Sequence, residues 1–315
     1  MNCYNDIKKT RTCLRCGEKG VQKDGWQSGT RQYRCAVCRY RFQYKKRGGT
    51  LKQKLWKRYS TGKQTLTEIG SKVGHSYKWV RNRLYEVVVS MPDDLTPGPT
   101  IIVPDTTFWG RGYGVMVFRS WTLRRNIWWS EVASERVANY HYGRKLLEDK
   151  GWTFTVAVID GRRGLANVFK DIPVQMCHFH QLQTVTKYLT RRPKTDAGKE
   201  LRALALTLTK TDEKTFAKAL RDYEKKWKHF LNEKTITLGL KCPQYTHKNI
   251  RSALRSLKTN LHNLFTYLRY PELNIPNTTN TIDGYFASVK KKVSAHHGLR
   301  KDRRYKLICQ LLKKG

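Results

Sequence analysis

Four cysteines of this 315-residue chain stand in two close pairs, Cys13 and Cys16 in "CLRC" and Cys35 and Cys38 in "CAVC", with 18 residues between the pairs. Each C-x2-C turn sets two sulfurs on one side of a knuckle, and two knuckles complete a tetrahedron suited to one Zn2+. Disulfides or free thiols are the other reading of the same residues, and Cys3 falls outside the pattern. Two aspartates share a different setting. Asp105 follows the apolar run "IIVP" and Asp160 follows "WTFTVAVI", which puts each at the C-terminal end of an expected strand. Side chains leaving the carboxyl ends of neighbouring strands converge at one sheet edge. Two acids there repel unless a cation sits between them. A small set of hard oxygen ligands suits Mg2+ or Mn2+, and two such ions serve the attacking and leaving oxygens of phosphoryl transfer. In "PDT" and "DGR" the same residues also read as turn aspartates. A third acid, Asp283 in "NTTNTIDGYF", allows two roles: with Asn280 as N-cap it completes a capping box at N3, or it reaches the same edge as a ligand.

The elements that must position these groups follow from apolar patterning. "IIVPDTTFWG", "YGVMVFRSW" and "NIWWSEVAS" read as three antiparallel strands, "VANYHYGRKLLEDKG" as a helix ending at Gly151, and "WTFTVAVID" as a buried strand. "GLANVFKDI" reads as a short helix and "VQMCHFHQ" as a further strand, which would turn His178 to the face opposite its neighbours. The class is α/β, a mixed sheet covered by helices. Residues 182–265 carry helical periodicity and read as a helical insertion, followed by the joint "YPELNIPNTTN". In "TIDGYFASVKKKV", Ile282, Tyr285, Phe286, Val289 and Val293 share one helical face. Cys177 and His180 could be half of another zinc site, although no second pair has suitable spacing; a buried small thiol is the alternative, with His180 near the cleft positioning DNA.

Ahead of this lie two small modules. "WQSGTRQYR" suggests strands about a Ser-Gly turn, and "QYRCAVCRYRF" alternates aromatic and basic residues, as a zinc ribbon facing phosphates would. Residues 65–89 read as two helices: Thr65 or Thr67 caps the first, Gly74 ends it, and Ser76 caps the second. Such a pair is a helix-turn-helix that would offer Lys78, Arg81 and Arg83 to a major groove, or a plain helical hairpin. The boundaries expected are 1–48 for the ribbon, 49–92 for the helix-turn-helix, 93–181 and 271–315 for the two parts of the core, and 182–270 for the insertion, with "SMPDDLTPGPT" as the linker.

The formal charge is +39, unevenly spread: +17 over residues 1–90, +4 over 101–180 and +20 over 181–315. Charge of this size repels itself without an anionic partner, and nucleic acid is the natural one. No apolar run approaches the roughly 20 residues of a membrane span. "MNCYNDIKKT" lacks a signal-peptide core. The expectation is a cytoplasmic protein with no membrane partner.

"DTTFWGRGYGVMVFR", "VIDGRRGL", "PVQMCHFHQ" and "IPNTTNTIDGYFASVKKKVSAHHGL" together resemble the motif blocks of a DDE transposase of bacterial insertion sequences, in the Mutator-like group, over roughly residues 100–312. The resemblance implies an RNase H-like catalytic domain with a helical insertion, and catalytic, metal-binding acids at Asp105, Asp160 and Asp283 holding two Mg2+ or Mn2+ ions. It implies cleavage of transposon ends and joining of a 3′-OH to target DNA by a homo-oligomer on double-stranded DNA. Cys177 and His180 match the family's Cys-x2-His block; His180, Lys290 and Lys291 fall where DNA would pass, and Asn280 and His296 beside the site. Where the family has Glu this chain has Asp283, one methylene shorter, and "HHGLR" departs from His-Arg-Gly-Leu-Ser at His297 and Arg300. A non-catalytic DNA-binding protein, as a repressor or decayed transposase, is the alternative function. A nuclease or junction resolvase of the same fold is a third; the N-terminal modules and the insertion argue against it.

Overall fold

The structure is a computed structural model and describes residues 11–27, 30–44, 48–62, 64–92, 94–236, 242–296 and 299–314; the side chains of 48–50, 280 and 281 also lie outside the description. The chain divides into two compact units, 1–87 and 88–315.

The first unit opens with three antiparallel strands, β1 (Val21–Gln27), β2 (Thr30–Cys35) and β3 (Arg41–Phe42). They enclose a small core of Cys13, Tyr33, Cys35 and Phe42. The expected Ser28-Gly29 turn lies outside the described residues. Three helices follow: α1 (Gly48–Gly62), α2 (Leu66–Val73) and α3 (Tyr77–Tyr85). Thr65 caps α2 in a full capping box, accepting from the Glu68 amide (3.2 Å) while the Thr65 amide donates to Glu68 Oε2 (2.8 Å). Gly74 ends α2 at φ 69°, a conformation that favours glycine, and Ser76 caps α3 three residues after α2 stops. Ile69, Val80 and Leu84 are buried where these helices meet, whereas Val88 lies past the end of α3 and is exposed.

The second unit is built on a five-stranded sheet of β4 (Pro99–Phe108), β5 (Gly114–Ser120), β6 (Arg125–Val132), β7 (Thr153–Ile159) and β8 (Val174–Met176), in the order β6-β5-β4-β7-β8. The first three pair antiparallel, and β7 and β8 add in parallel. The parallel additions require crossovers, made by α4 (Val137–Asp149) and the short α5 (Leu165–Val168). Every residue of β5 is buried, as expected of a strand covered on both faces. Cross-strand partners share a face. Thr106, Met116 and Ser130 are therefore on the α4 side, and Asp105, Val117 and Trp129 on the other. On the α4 side, helix and sheet approach so closely that a Cβ at Gly143 would lie 2.6 Å from the Phe118 ring and 2.7 Å from the Trp128 ring. The opposite face is covered by α12 (Asn280–Ser294) and α13 (Lys301–Leu312), with Trp129 Nε1 donating to Cys309 Sγ (3.2 Å).

Between β8 and α12 lies a helical layer: α6 (His178–Leu189), α7 (Asp196–Leu206), α8 (Glu213–Lys226), α9 (Lys228–Asn232), α10 (Lys248–Leu264) and α11 (Thr266–Arg269), with a two-residue ribbon of β9 (Lys234–Thr235) and β10 (Gln244–Tyr245). Helical-spaced residues such as Phe216, Leu220 and Tyr223 on α8 and Leu254 and Leu257 on α10 form its core. This layer also covers the edge of β8: Thr266 Oγ1 donates to Val174 O (2.6 Å), Gln175 Nε2 to Leu264 O (3.0 Å), and the Tyr267 amide to Gln175 Oε1 (2.9 Å). The sheet edge is thereby closed to other strands.

Two expectations are corrected. "VQMCHFHQ" is a strand only as far as Met176; α6 begins at His178, so His178 and His180, which a strand would set on one face, point to different sides of a helix, His178 buried and His180 half-buried. The chain leaves the sheet because the Cys177 amide, having donated to Ile159 O (2.8 Å), is the last group with a strand partner. Asp105 does not end its strand either: β4 continues to Phe108, since hairpin pairing with β5 continues through Asp105↔Val117 to Phe108↔Gly114.

Candidate active site

In the first unit the four cysteines predicted as a set come together. Their sulfurs all lie within 4.8 Å of one another. Cys13 and Cys38 are 3.6 Å apart and Cys16 and Cys35 are 3.7 Å apart. A disulfide needs about 2.05 Å, and all four are free. Four ligands at the 2.3 Å Zn–S distance of a tetrahedral site are about 3.8 Å apart along each edge, so the spacing fits zinc. The knuckle amides of Arg15 and Cys38 donate to Cys13 Sγ and Cys35 Sγ (3.4 Å each). Packed thiols resist ionising together. Burial opposes ionisation of Cys13, yet hydrogen bonds from Cys16, Arg15 and Cys38 bring it down to about 6. For Cys16 the Glu18 backbone acts downward, but burial and the thiols of Cys38, Cys13 and Cys35 push it up to about 12. A divalent cation would suit this donor set.

In the second unit, three aspartates arrive from three elements. Asp105 lies inside β4, on the face covered by α12. Asp160 is the first residue past β7. The parallel register pairs Ile102 with Ala157, and continuing it by three residues sets Asp105 opposite Asp160. Asp283 lies in the first turn of α12. Burial, joined by the charges of Asp283 and Asp160, pushes the Asp105 carboxyl up to about 7, against the Thr106 amide and His180. The acids therefore sense one another. Each also rests one oxygen on a local donor: Asp105 Oδ1 on the Thr106 amide (2.7 Å), Asp160 Oδ1 on the Arg162 amide (3.1 Å), and Asp283 Oδ2 on the Thr279 hydroxyl (3.3 Å). Among the described residues the cysteine set is the group of three or more possible ligands drawn within 4.8 Å; the aspartates are more open. Hard oxygens at a shared edge, with the Asp105 carboxyl raised by burial and then by its acidic neighbours, suit a divalent ion.

The N-cap of α12 is Thr279 rather than Asn280, so Asp283 falls at N4 and no capping box forms. The Asn280 side chain lies outside the described residues. Thr279 instead ties the site together. Its amide donates to Cys177 Sγ (3.2 Å), and its hydroxyl lies 3.1 Å from the same sulfur and 3.3 Å from His180 Nδ1. The His178 amide donates to Asn277 O (2.9 Å). The start of α6 and the start of α12 are thus stitched together beside the ends of β7 and β8. His180 Nε2 stands 4.0 Å from Asp283 Oδ1. The Cys177 thiol, then Asp283 and Asp105, raise His180 to about 9 despite burial, while His180 and Thr279 hold the buried Cys177 thiol below its ordinary value. A cation beside acids accounts for both shifts. The Cys177–His180 pair is thus a thiol and imidazole in contact, and no second Cys or His pair joins it among the described residues.

Patterning did not point to Glu135, in the loop between β6 and α4. It accepts from the Tyr140 hydroxyl (2.6 Å) and from Arg162 Nη1 (2.8 Å), and the Tyr140 hydroxyl lies 3.0 Å from Thr106 Oγ1. Burial raises the Glu135 carboxyl, as does the charge of Asp160. It carries no motif; the one signal was an acid in a segment with few of them.

The remaining candidates are more dispersed. Lys78 is exposed on α3; Arg81 lies over Tyr77, 5.8 Å from the ring centre; Arg83 reaches Glu86 (3.1 Å) and lies over Trp79. Lys290 and Lys291 are exposed on α12, seven and eight residues beyond Asp283, or about 10–12 Å along the axis. His296 is half-buried just past the end of α12, and burial lowers its pKa. His297 lies outside the described residues, and Arg300 is exposed at the N-cap of α13. No helix among the described residues is long and apolar enough to cross a membrane.

No family model matches the chain, and no curated protein does. Among solved structures the chain is similar to a Drosophila P element transposase strand transfer complex, at a TM-score of 0.41 and 9% identity, over 87% of this chain and 93% of that one. A likeness at that level carries no conclusion about this chain.

Proposed function

We propose that the chain is a DNA-cleaving and strand-transferring enzyme of the DDE transposase kind, with an RNase H-like core. The observation that carries the reading is the meeting of Asp105, Asp160 and Asp283, from three elements far apart in sequence, at one edge of a β6-β5-β4-β7-β8 sheet, with Asp105 pushed up to about 7. These three carboxylates would hold two Mg2+ or Mn2+ ions, and the four cysteines one Zn2+. Bound there, divalent ions favour attack on a phosphodiester by withdrawing charge from it. The chain's own groups supply the rest. Asp160 and Asp283 bring the negative charge that the ions neutralise. His180, cationic at neutral pH, faces that cluster and offers a positive charge to a phosphate seated there. Water oxygen attacks phosphorus, the P–O3′ bond breaks, and the 3′-oxygen leaves as the hydroxyl that later attacks target DNA. Thr279 sets the spacing of His180 and Asp283 through contacts to both. The ribbon and α2–α3, with Lys78, Arg81 and Arg83, would read the DNA ends, and a homo-oligomer would pair them.

Substituting Asp105→Asn or Asp160→Asn is expected to abolish Mg2+-dependent cleavage of end-containing duplex while DNA binding persists. Cleavage at the parent rate by either variant refutes the assignment. A second reading, a DNA-binding protein without catalysis, is favoured by one feature: the aspartate oxygens are not gathered within 4.8 Å, and Asp283 is one methylene short of the glutamate found in the family its motifs resemble. Metal-dependent cleavage by the parent excludes it; cleavage by the Asp283→Glu variant alone supports it.

A further inference from the structure

The helical layer contains a concave surface that shares no residue with the carboxylate cluster. A groove of about 640 Å³ runs between α8–α9 and α10. Arg221, Lys225 and Lys228 line one wall, and Arg251, Arg255 and Lys258 the other. Arg251, Arg255 and Lys258 have the spacing i, i+4, i+7 on one face of α10, while Arg221 and Lys225 lie one turn apart on α8 and Lys228 opens α9. The α10 row spans about 10 Å along its axis. Like charges four residues apart on a helix repel, and two such rows facing each other repel further. The lining offers one acid in return, Glu224, and it pairs with Lys258 (2.7 Å). Arg251 donates to Leu231 O (2.8 Å) and Asn232 Oδ1 (3.0 Å), groups that leave its charge intact. Arg221, Lys225, Lys228 and Arg255 make no ion pair among the described residues. Folding alone gives no reason for this arrangement.

We propose that this groove is a cleft for the phosphate backbone of nucleic acid, a sequence-independent contact additional to the ribbon and α3. The rows suit a chain of anions, whereas one small phosphate is held by donors converging on a point. A bilayer surface is flat and does not enter a concavity. The lining has no aromatic side chain on which a base would stack. Backbone contacts without base contacts give affinity that depends steeply on salt and not on sequence. The proposal extends the nucleic-acid reading above but does not require the aspartates to catalyse anything.

The test uses the full chain with a fluorescent duplex of about 30 random base pairs, without added Mg2+ or Mn2+, over a KCl series. The variant Arg221→Gln/Lys225→Gln/Arg255→Gln replaces exposed residues. Losing three phosphate contacts at about 0.9 each lowers the slope of log Kobs against log salt by about 2.7. A control, Arg192→Gln/Lys194→Gln/Lys210→Gln, removes the same charge from exposed positions outside the groove and should change the slope by less than about 1. A photo-crosslinker on Thr259→Cys in the groove lining is expected to capture the duplex, and one on Asp222→Cys outside it is not. Equal slopes for the two triple variants, or no capture from position 259, overturn the proposal. So does displacement of the captured duplex by poly-glutamate at lower concentration than by unlabelled duplex, which would mark an acidic protein as the occupant. Loss of cleavage in Asp105→Asn leaves all these readouts unmoved, so failure here and failure of the carboxylate reading are distinguishable.

Discussion

Replacing Asn126 by alanine should weaken the second unit far more than one neutral side chain suggests. Asn126 is fully buried on β6 and holds three groups: Oδ1 accepts from Arg119 Nη1 (3.0 Å), and Nδ2 donates to Leu312 O (2.9 Å) and to the Tyr285 hydroxyl (3.3 Å). Leu312 O is among the last carbonyls of α13, which have no partner inside the helix. A sheet residue therefore caps a helix 186 residues away. In Asn126→Ala, the bond to the charged guanidinium is worth about 1.5–3 kcal/mol and the one to Leu312 about 1, and the stranded buried carbonyl adds about 1 more. Arg119 keeps its bond to Arg124 O (2.7 Å), which limits its loss. The total is about 3–5 kcal/mol. Urea unfolding followed by tryptophan fluorescence should show the midpoint fall with little change in slope. Asn126→Asp, which keeps an acceptor for Arg119 but has no donor for Leu312, should fall between alanine and the parent. A loss below about 1 kcal/mol for alanine refutes the view that this side chain joins α13 to the sheet. Tyr285 is two residues from Asp283, so metal-dependent cleavage should fall along with stability.

Two further outcomes follow. The purified chain should carry one zinc by elemental analysis and Cys35→Ser none; zinc retained at the parent level by Cys35→Ser refutes the four-thiolate site. Asp171 receives a forked Arg144, which holds its carboxyl at about 2, below the ordinary 3.8. A depressed folded pKa stabilises above the unfolded value, so this contribution is full at neutral pH and is lost as pH falls from about 4 through about 2. The gap in stability between parent and Asp171→Asn should close over that interval; a gap unchanged between neutral pH and pH 2 counts against the pairing.

What was legible in the chain was local. The cysteine knuckles, a Thr65 or Thr67 cap, Gly74 and Ser76 announce themselves because the partners lie within a few residues; the structure chooses Thr65 and adds Glu68 to it. The strand before Asp160 was legible as a run of apolar and β-branched residues. Features set by distant partners were not. β4 passes Asp105 because β5 pairs with it, and "VQMCHFHQ" turns from strand to helix where its alternating pattern fits both. The cap of α12 shifts to Thr279 because that residue is engaged by Cys177 and His180, about 100 residues earlier. Glu135 and Tyr140 enter the neighbourhood of the acids through α4, with no spacing in the sequence to announce them.

The covering of the sheet by α12 and α13 has a consequence for how the chain comes into being. On the ribosome the strands emerge before α12 and α13, and domains fold as units while synthesis proceeds. Until residues 301–312 arrive, Trp129 has no Cys309 and Asn126 no Leu312 to bond, and the sheet face they share with Asp105 stands open to solvent. Contacts closing over 180 residues form slowly. A nascent chain thus displays a greasy sheet beside an array of strong cations, and it is most adhesive in the interval before these two helices emerge.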